Sequence, residues 1–276
     1  MKQLFSLIGI LLVTCLSCAG ESHEPGEQPN EPTPWDGPTI TAMAYNIHHC
    51  NPPSKPELID VEAIAAVILA EEPDFVALQE VDVNTLRSGK QLNQAKALAT
   101  LTDMHYHFVK AIDYQEGEYG VAVLSKHPIE HAFGFSLPMA DGLSGEPRVV
   151  AAVDVLLPTG ETITFASTHL DLRPEHRRLQ PEKIVAELGH RANPVIIGGD
   201  FNAVPGTEPI DIMGQTFRNT CVGSDCPGTI PVNNPNRVID YIFYRPFNEL
   251  KVIEHRVVPE TYASDHLPVV TRLQLK

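Results

Sequence analysis

The sequence predicts an α/β sandwich of the α+β class, in which two mixed β-sheets pack face to face with helices outside. Segments rich in β-branched and aromatic residues, typical of strands, outnumber segments with helical spacing. The elements follow the order β-α-β-α, then hairpins, then a further α-β unit, which disfavours a regular doubly wound sheet. The predicted strands cover residues 39–45, 75–79, 120–124, 149–156, 162–167, 195–197, 238–244, 252–257 and 268–275.

Helical spacing of apolar residues marks the connections between these strands. One helix is predicted over residues 61–68, with Asp60 as a possible N-cap and an end before Pro73. A second follows Pro181, with apolar side chains at positions 184, 185 and 188. A third is predicted over residues 93–102. These segments are too few to form the core alone, so we expect them to cover the sheets.

The N-terminus has the pattern of an export signal. Residues 1–17 combine Lys2 with an apolar run that is shorter than the roughly 20 residues of a membrane-spanning helix. The segment resembles a bacterial lipoprotein signal, which implies a lipid on Cys18 and contact with a membrane only through that lipid. Cys15 stays open as the lipid site, and simple secretion stays open as the alternative.

Residues 18–38 read as an acidic, proline-rich tether without periodicity. The folded domain is expected to cover residues 39–276, because no internal stretch rich in Pro, Gly or Ser divides it. We expect this domain to be a monomer at the cell envelope.

The charge balance disfavours a protein that grips long phosphate backbones. Acidic side chains outnumber basic ones by 35 to 20, and without residues 1–17 the charge is 19 minus 35, or −16. The segment HLDLRPEHRR (169–178) gathers three arginines and two histidines, so a small anionic group could still be attracted locally.

Polar residues occur at or beside the ends of the predicted strands. Asp and Asn favour such positions as turn residues, and each one alone fits that explanation. Together, however, they supply oxygen-rich ligands with few nitrogens, which suit Mg²⁺ or Mn²⁺ rather than zinc. These residues are Asn46, Glu80, His169, Asp200, Asn202, Asp240, Asp265 and His266.

At these residues the sequence resembles the endonuclease/exonuclease/phosphatase superfamily of metal-dependent phosphohydrolases. The resemblance implies a four-layered sandwich with the active site at one end of the two sheets. It rests on YNIHH (45–49), ALQEVD (77–82), EYGVAVLSKHP (118–128), EPRVV (146–150), STHLD (167–171), GGDFNAVPGT (198–207), RVIDYIF (237–243) and SDHLPVV (264–270).

The resemblance also implies metal and substrate ligands. Glu80 corresponds to the principal metal carboxylate, and Asn46 and Asp265 to further ligands or their supports. Arg148 lies where the family often has an arginine that contacts phosphate, with a solvated hairpin residue as the alternative. Tyr119 is a weaker candidate for substrate binding, as is its neighbour Glu118.

The implied catalytic residues act on the attacking water and on the phosphoryl group. Asp200 corresponds to the residue that orients or deprotonates the water, and Asn202 shares its direction if the strand end stays extended. His266 corresponds to the histidine that hydrogen-bonds a phosphoryl oxygen, and Asp240 to the carboxylate that charges it. His169 corresponds to the second histidine that faces phosphate.

Two further pairs of histidines are candidate metal or site residues. His105 and His107 share one face of a strand, but no further metal ligands lie nearby in sequence, so a structural or surface role is predicted. His48 and His49 follow Asn46 closely. On an extended chain they would point in opposite directions, so at most one would face the site.

A disulfide is expected between Cys221 and Cys226, because the signal directs the domain to an oxidising compartment and Gly223 eases a tight turn. Free thiols, or a pairing with Cys50, are the alternatives.

The sequence therefore predicts an exported phosphodiesterase, dependent on Mg²⁺ or Mn²⁺, that acts on small phosphoesters or lipid head groups by direct attack of water. An extracellular nuclease that cleaves DNA or RNA is the first alternative. A non-catalytic surface binding lipoprotein is the second, although every predicted catalytic residue is present.

Overall fold

Two β-sheets lie between two layers of α-helices in the computed structural model, which describes residues 35–223 and 225–276. The strands are β1 (Thr39–Asn46), β2 (Phe75–Val83), β3 (His105–Tyr114), β4 (Gly117–Ser125), β5 (Ile129–Ser136), β6 (Val149–Leu156), β7 (Thr162–His169), β8 (Val195–Asp200), β9 (Arg218–Asn219), β10 (Asp240–Arg245), β11 (Leu250–Val257) and β12 (Val269–Leu275). The helices are α1 (Val61–Glu71), α2 (Gln94–Thr102), α3 (Pro174–Leu188) and α4 (Glu208–Gly214).

Each sheet contains six strands of mixed direction. The strand orders are β11-β12-β1-β2-β4-β3 and β5-β6-β7-β8-β10-β9. The pairs β1–β2 and β7–β8 are parallel, with α1 and α3 as their crossovers, and the other pairings are antiparallel. A parallel pair needs such a crossover because its second strand must start again at the same end. The predicted sandwich of two mixed sheets is confirmed.

Three hydrophobic layers hold the sandwich together. The inner layer lies between the sheets and packs residues such as Ala44 and Phe75 against Phe165 and Ile196. A second layer packs α1 and α2 on the outer face of the first sheet, and a third packs α3 and α4 on the outer face of the second. Because successive side chains of a strand point to opposite faces of the sheet, each central strand contributes to the inner layer and to one outer layer.

The two sheets approach closely at Gly198 in β8. A Cβ atom at this position would lie 2.7 Å from the Cβ of Ala77 and 3.1 Å from the Cβ of Ala44. Small residues therefore face each other across the sandwich near the end of β1, β2 and β8. Larger side chains here would push apart the strand ends that follow.

Local sequence signals account for the first two helices. The backbone N–H of Ala63 donates to the Asp60 carboxylate, which is the predicted N-cap of α1, and Asn93 caps α2 in the same manner. The helix predicted to follow Pro181 begins earlier than expected, because α3 starts at Pro174 and contains Pro181. Its first turns bury the polar His176 and Gln180, so hydrophobic spacing does not reveal them.

The predicted elements lack β5, the two-residue β9 and the short α4, and of β3 they include only the strand at His105 and His107. Both β3 and β5 are edge strands with half-exposed side chains and no clean alternation of buried and exposed positions. An edge strand buries less apolar surface than a central one, so its sequence carries a weaker signal.

The disulfide between Cys221 and Cys226 is present, and Cys50 is a buried free cysteine.

The predicted signal peptide and lipid sites at Cys15 and Cys18 lie outside the described residues, as does most of the tether. Among the residues that the structure describes, none of the helices is long and apolar enough to cross a membrane.

We predict that Gly198→Ala destabilises the fold by about 1–3 kcal/mol, because the added methyl group overpacks the contact between the sheets. Gly214→Ala is the matched control, since a Cβ there has open space around it, and we expect it to be neutral or slightly stabilising. Urea unfolding of both variants measures the difference. Equal stability would show that the sheets are free to shift apart at Gly198.

Candidate active site

The polar site continues the inner core at one end of the sandwich. Ala44 and Ile196 face the layer between the sheets, and Asn46 and Asp200 follow them by two and four residues. Asp240 begins β10 opposite Asp200. Because alternate residues of a strand share a face, these polar side chains point into the space between the sheets where the apolar residues end.

Strand pairing brings residues distant in sequence to the same end. His169 pairs with Asp200 across the parallel β7–β8 pair, and Asp200 pairs with Asp240 across β8–β10. His266 lies just before β12, which runs antiparallel to β1 and therefore starts beside the end of β1. The sheets thus place both histidines and both aspartates together.

Glu80 reaches the site through an irregularity in β2. The register with β4 shifts between Leu78 and Val81, and Glu80 has a left-handed backbone with φ of 59°. In a regular strand, Glu80 would point in the same direction as Leu78, to the face of the sheet that packs against α1 and α2. This bulge re-aims the carboxylate instead, a frequent use of bulges beside active sites.

Asn46 links two carboxylates. Its Nδ2 donates to Glu80 Oε1 at 3.1 Å and to Asp200 Oδ2 at 3.2 Å, and its Oδ1 accepts from the backbone N–H of His48 at 3.1 Å. Burial raises the pKa of Glu80, but the nearby imidazoles of His49 and His169 and the hydrogen bond from the Asn46 amide more than offset this, so the pKa lies well below its usual value. Glu80 is therefore ionised.

Asp200 lies at the centre of the cluster and is 2% exposed. Its Oδ2 is 3.4 Å from Nε2 of His169 and 3.8 Å from Nε2 of His266. Burial, followed by repulsion from Asp240, raises the pKa of Asp200 to about 7. A carboxylate with a raised pKa is a better proton acceptor, as general-base chemistry requires.

His266 forms a buried ion pair with Asp240. Its Nδ1 is 2.9 Å from Asp240 Oδ2, and that oxygen also accepts from the Thr229 hydroxyl at 2.5 Å. Burial lowers the pKa of His266, but the charge and hydrogen bond of Asp240 outweigh it and raise the pKa to about 10. His266 is thus an imidazolium whose Nε2 faces the Asp200 side of the site.

His169 and Asn202 complete this side of the cluster. Asn202 Nδ2 is 3.1 Å from Nε2 of His169 and donates to the Leu170 carbonyl at 2.9 Å. The strand end does not stay extended as far as Asn202, because β8 ends at Asp200 and Asn202 has φ of 48°, so the condition for a shared direction is not met. The Asn202 backbone N–H donates to Asp200 Oδ1 instead, which forms a tight Asx turn.

Arg148 and Tyr119 lie around the cluster and are largely buried. Burial, followed by the charge of Arg148, holds the pKa of His169 well below its usual value. Burial, followed by the charge of Glu80, raises the pKa of Tyr119. Arg148 also forms an ion pair with Glu146 at 3.0 Å, so it is neither isolated nor freely solvated.

The remaining predicted residues divide between the site and the periphery. Asp265 precedes His266, and its Oδ1 is buried without a hydrogen-bond partner. His107 instead contacts the Phe133 carbonyl at the sheet edge, and His105 is exposed on the same strand.

Four supporting residues were not predicted as part of the site. The Ser264 hydroxyl donates to the Asn46 carbonyl at 2.7 Å, and it lies inside the quoted motif SDHLPVV. Gln79 and Ser167 bond across the two sheets at 3.0 Å. Thr229 lies 11 residues before Asp240 in an irregular segment, and nothing in its local sequence marks it.

Residues 43–266 match the Endonuclease/Exonuclease/phosphatase family. The chain belongs to this family. All three activities in that name hydrolyse phosphoesters, and the chain is therefore a member of a phosphohydrolase family. Within the described residues, Asp200, Asp240 and His266 form a buried group whose ligand atoms lie within 4.8 Å of one another and could hold a metal ion.

Relatives of this family member include proteins with and without a described activity. Uncharacterized protein YbhP of Escherichia coli strain K12 is 27% identical over 214 residues, which cover 73% of this chain and 83% of YbhP. An endonuclease/exonuclease/phosphatase from Beutenbergia cavernae has 23% identity and a TM-score of 0.71, with 86% of this chain and 72% of that chain covered.

A mannosyl-6-phosphatase from Bacteroides thetaiotaomicron has 20% identity and a TM-score of 0.67, with 85% and 99% coverage. These structural likenesses establish the fold.

We predict that Asp240→Asn lowers the pKa of His266, because the variant loses the charge that stabilises the imidazolium. Since the pKa in the folded protein is near 10, above the ordinary value near 6.5, the pair stabilises the fold fully below pH 6.5 and loses this effect as the pH rises through 10. NMR titration of the His266 ring measures the shift. Asp113→Asn, at an exposed surface position, is the control, and an identical His266 titration in both variants would reject the pairing.

Proposed function

We propose that this family member is a divalent-metal-dependent phosphodiesterase that hydrolyses small phosphoesters or lipid head groups by direct attack of water. The observation that carries the proposal is the central position of Asp200, between ionised Glu80 on one side and the His266 imidazolium on the other. Phosphoryl transfer requires a positioned nucleophile, a cation for the phosphoryl oxygens, and donors aimed at the developing charge. The cluster offers a residue for each task.

The residues at Glu80 fit a hard cation. The carboxylate is ionised, Asn46 is next to it, and the unpartnered buried Oδ1 of Asp265 supplies a further oxygen that lacks a hydrogen bond. His266 is a poor ligand despite its proximity to two carboxylates, because an imidazolium has no free nitrogen lone pair. Glu80, with Asn46 and Asp265, would therefore hold Mg²⁺ or Mn²⁺, which when bound would neutralise charge on the phosphoryl oxygens.

On the opposite side, the residues of the chain itself handle the water and the phosphoryl group. Asp200 Oδ2 orients the attacking water and accepts its proton, while the bonds from Asn46 and Asn202 fix the carboxylate. His266 donates its Nε2 proton toward a phosphoryl oxygen, and Asp240 keeps the ring charged. No side chain has to form a covalent intermediate in this scheme.

The charge of the chain supports a small substrate. The chain carries 20 basic and 35 acidic residues, whereas a protein that tracks a nucleic acid gains affinity from each basic contact with a phosphate. An open, shallow cleft of about 560 Å³ includes residues that follow His169 in sequence, and none of the residues of the cluster lines it. It is lined by Ser144, Gly145, Asp171, Leu172 and Arg173.

The N-terminal sequence extends the proposal to location. We propose that the protein is exported and lipid-anchored through Cys18, on the basis of the signal-like segment that precedes this cysteine. An anchored domain would have lipid head groups within its reach, which agrees with the proposed substrate class.

We predict that hydrolysis of bis-nitrophenyl phosphate requires Mg²⁺ or Mn²⁺ and falls at least about 10²-fold in Asp200→Asn and in Glu80→Gln. The first change weakens activation of the water, and the second removes the main carboxylate for the cation. Lys90→Gln, at an exposed ion pair, is the control. Full turnover after chelation, or in both site variants, would contradict the mechanism and favour a binding lipoprotein.

We also predict that small phosphoesters or lipid head groups are hydrolysed with higher kcat/KM than plasmid DNA or long RNA. The acidic surface repels a polyanion, and this repulsion acts less on a compact substrate. The measurement compares sphingomyelin, phosphoinositides, DNA and RNA at one ionic strength. Faster cleavage of DNA or RNA would identify the protein as a nuclease.

A further inference from the structure

We propose that His49 is a nitrogen ligand of the cation at Glu80 and that it gives this site a preference for Mn²⁺ over Mg²⁺. The inference rests on the proposed function, because it assumes that a divalent cation binds at Glu80.

The His49 imidazole faces Glu80 without contacting it. Its Nδ1 lies 4.0 Å from Glu80 Oε2, which is beyond hydrogen-bond distance. This nitrogen is buried and has no hydrogen-bond partner among the described residues, and the side chain is 14% exposed. Buried polar atoms normally have a partner, so an unpartnered one beside an ionised carboxylate calls for an explanation.

The distance between the two atoms is compatible with a shared cation. In an octahedral site with bonds of about 2.1 Å, adjacent ligand atoms are about 3.0 Å apart and opposite ones about 4.2 Å. The 4.0 Å separation is close to that of opposite ligands. A small rotation of either side chain would adjust it to one of these positions.

The backbone is bent to hold His49 in this place. The expected extended chain at His48 and His49 is wrong, because His48, His49 and Cys50 have φ values of 43°, 42° and 58°. Three consecutive left-handed residues without glycine are energetically unfavourable, and such strain is often found at functional sites.

One buried side chain ties His49 to the strand that carries Glu80. Gln94 Nε2 donates to the His49 carbonyl at 2.6 Å, and Gln94 Oε1 accepts from the backbone N–H of Asp82 at 2.9 Å. Asp82 lies two residues after Glu80. The same amide thus fixes the positions of the imidazole and the carboxylate relative to each other.

The neighbouring His48 is placed differently, because among the described residues neither of its ring nitrogens lies within 4.0 Å of a carboxylate, whereas His49 Nδ1 does. The His48 Nδ1 lies 2.8 Å from the Asn51 carbonyl and is already engaged. His48 therefore provides a matched control, with the same residue type, a similar backbone conformation and an adjacent position.

The chemistry of the ligand sets the metal preference. Mg²⁺ strongly favours oxygen ligands, whereas transition-metal cations accept imidazole nitrogen readily. With oxygens alone, the site would not distinguish Mg²⁺ from Mn²⁺ strongly. The addition of His49 creates a mixed nitrogen and oxygen site that suits Mn²⁺.

Pulsed EPR of the full chain loaded with Mn²⁺ tests the inference, because it detects imidazole ¹⁴N bound to the metal. We expect a ¹⁴N signal in the wild type and in His48→Asn, and its loss in His49→Asn, which keeps a residue that tolerates a left-handed backbone. The ratio of the Kd for Mg²⁺ to that for Mn²⁺ should fall about 10-fold in His49→Asn alone. Circular dichroism verifies that both variants are folded.

The outcomes separate the two proposals. Mn²⁺ that binds the wild type without a ¹⁴N signal, or a ¹⁴N signal that persists in His49→Asn, would overturn the role of His49 and leave the proposed metal site intact. Wild-type protein that binds no Mn²⁺ would overturn both. Loss of the signal in His48→Asn as well as in His49→Asn would show that the turn, and not the His49 nitrogen, is responsible.

Discussion

Alternation along the strands of a closely packed sandwich is the constraint on which the site depends. The face of β1 that carries Ala44 into the inner core also carries Asn46, and the face of β8 that carries Ile196 also carries Asp200. Gly198 and the alanines that face it, Ala44 and Ala77, allow the sheets to lie close together at this end. The polar cluster therefore occupies the place where an apolar core would otherwise continue.

Two buried carboxylates so close together are electrostatically unfavourable, and nearby hydrogen-bond donors and a positive charge compensate them. Asp200 and Asp240 are both buried and repel each other, and the His266 imidazolium lies between them. Removal of one partner from such a group leaves a buried charge without compensation, which is strongly destabilising. The bonds from Thr229 and Asn46 hold each acid in a fixed place. These hydrogen bonds orient the acids in the absence of a substrate, and oriented charges of this kind are what electrostatic catalysis uses.

The fold supplies the reaction class, while the surroundings of the cluster decide the substrate. Members of one fold can differ in function because loops are grafted on a common scaffold. In this chain the segment between β5 and β6 contributes Ser144 and Gly145 to the cleft, and the start of α3 contributes Arg173. The left-handed turn at His48 and His49 is a further local feature beside Glu80, and it lies outside the sheets.

The sequence by itself determined the central strands, the cap at Asp60 and the identity of the residues in the cluster, because these are local patterns or short motifs. Only the tertiary structure decided how Glu80 reaches the site, since a bulge reverses the direction that alternation predicts. The same holds for Thr229, whose contact with Asp240 depends on chain folding across an irregular segment. The first turns of α3 were also not predicted. They bury His176 and Gln180, which form hydrogen bonds with backbone N–H groups, so no hydrophobic periodicity marks this part of the helix.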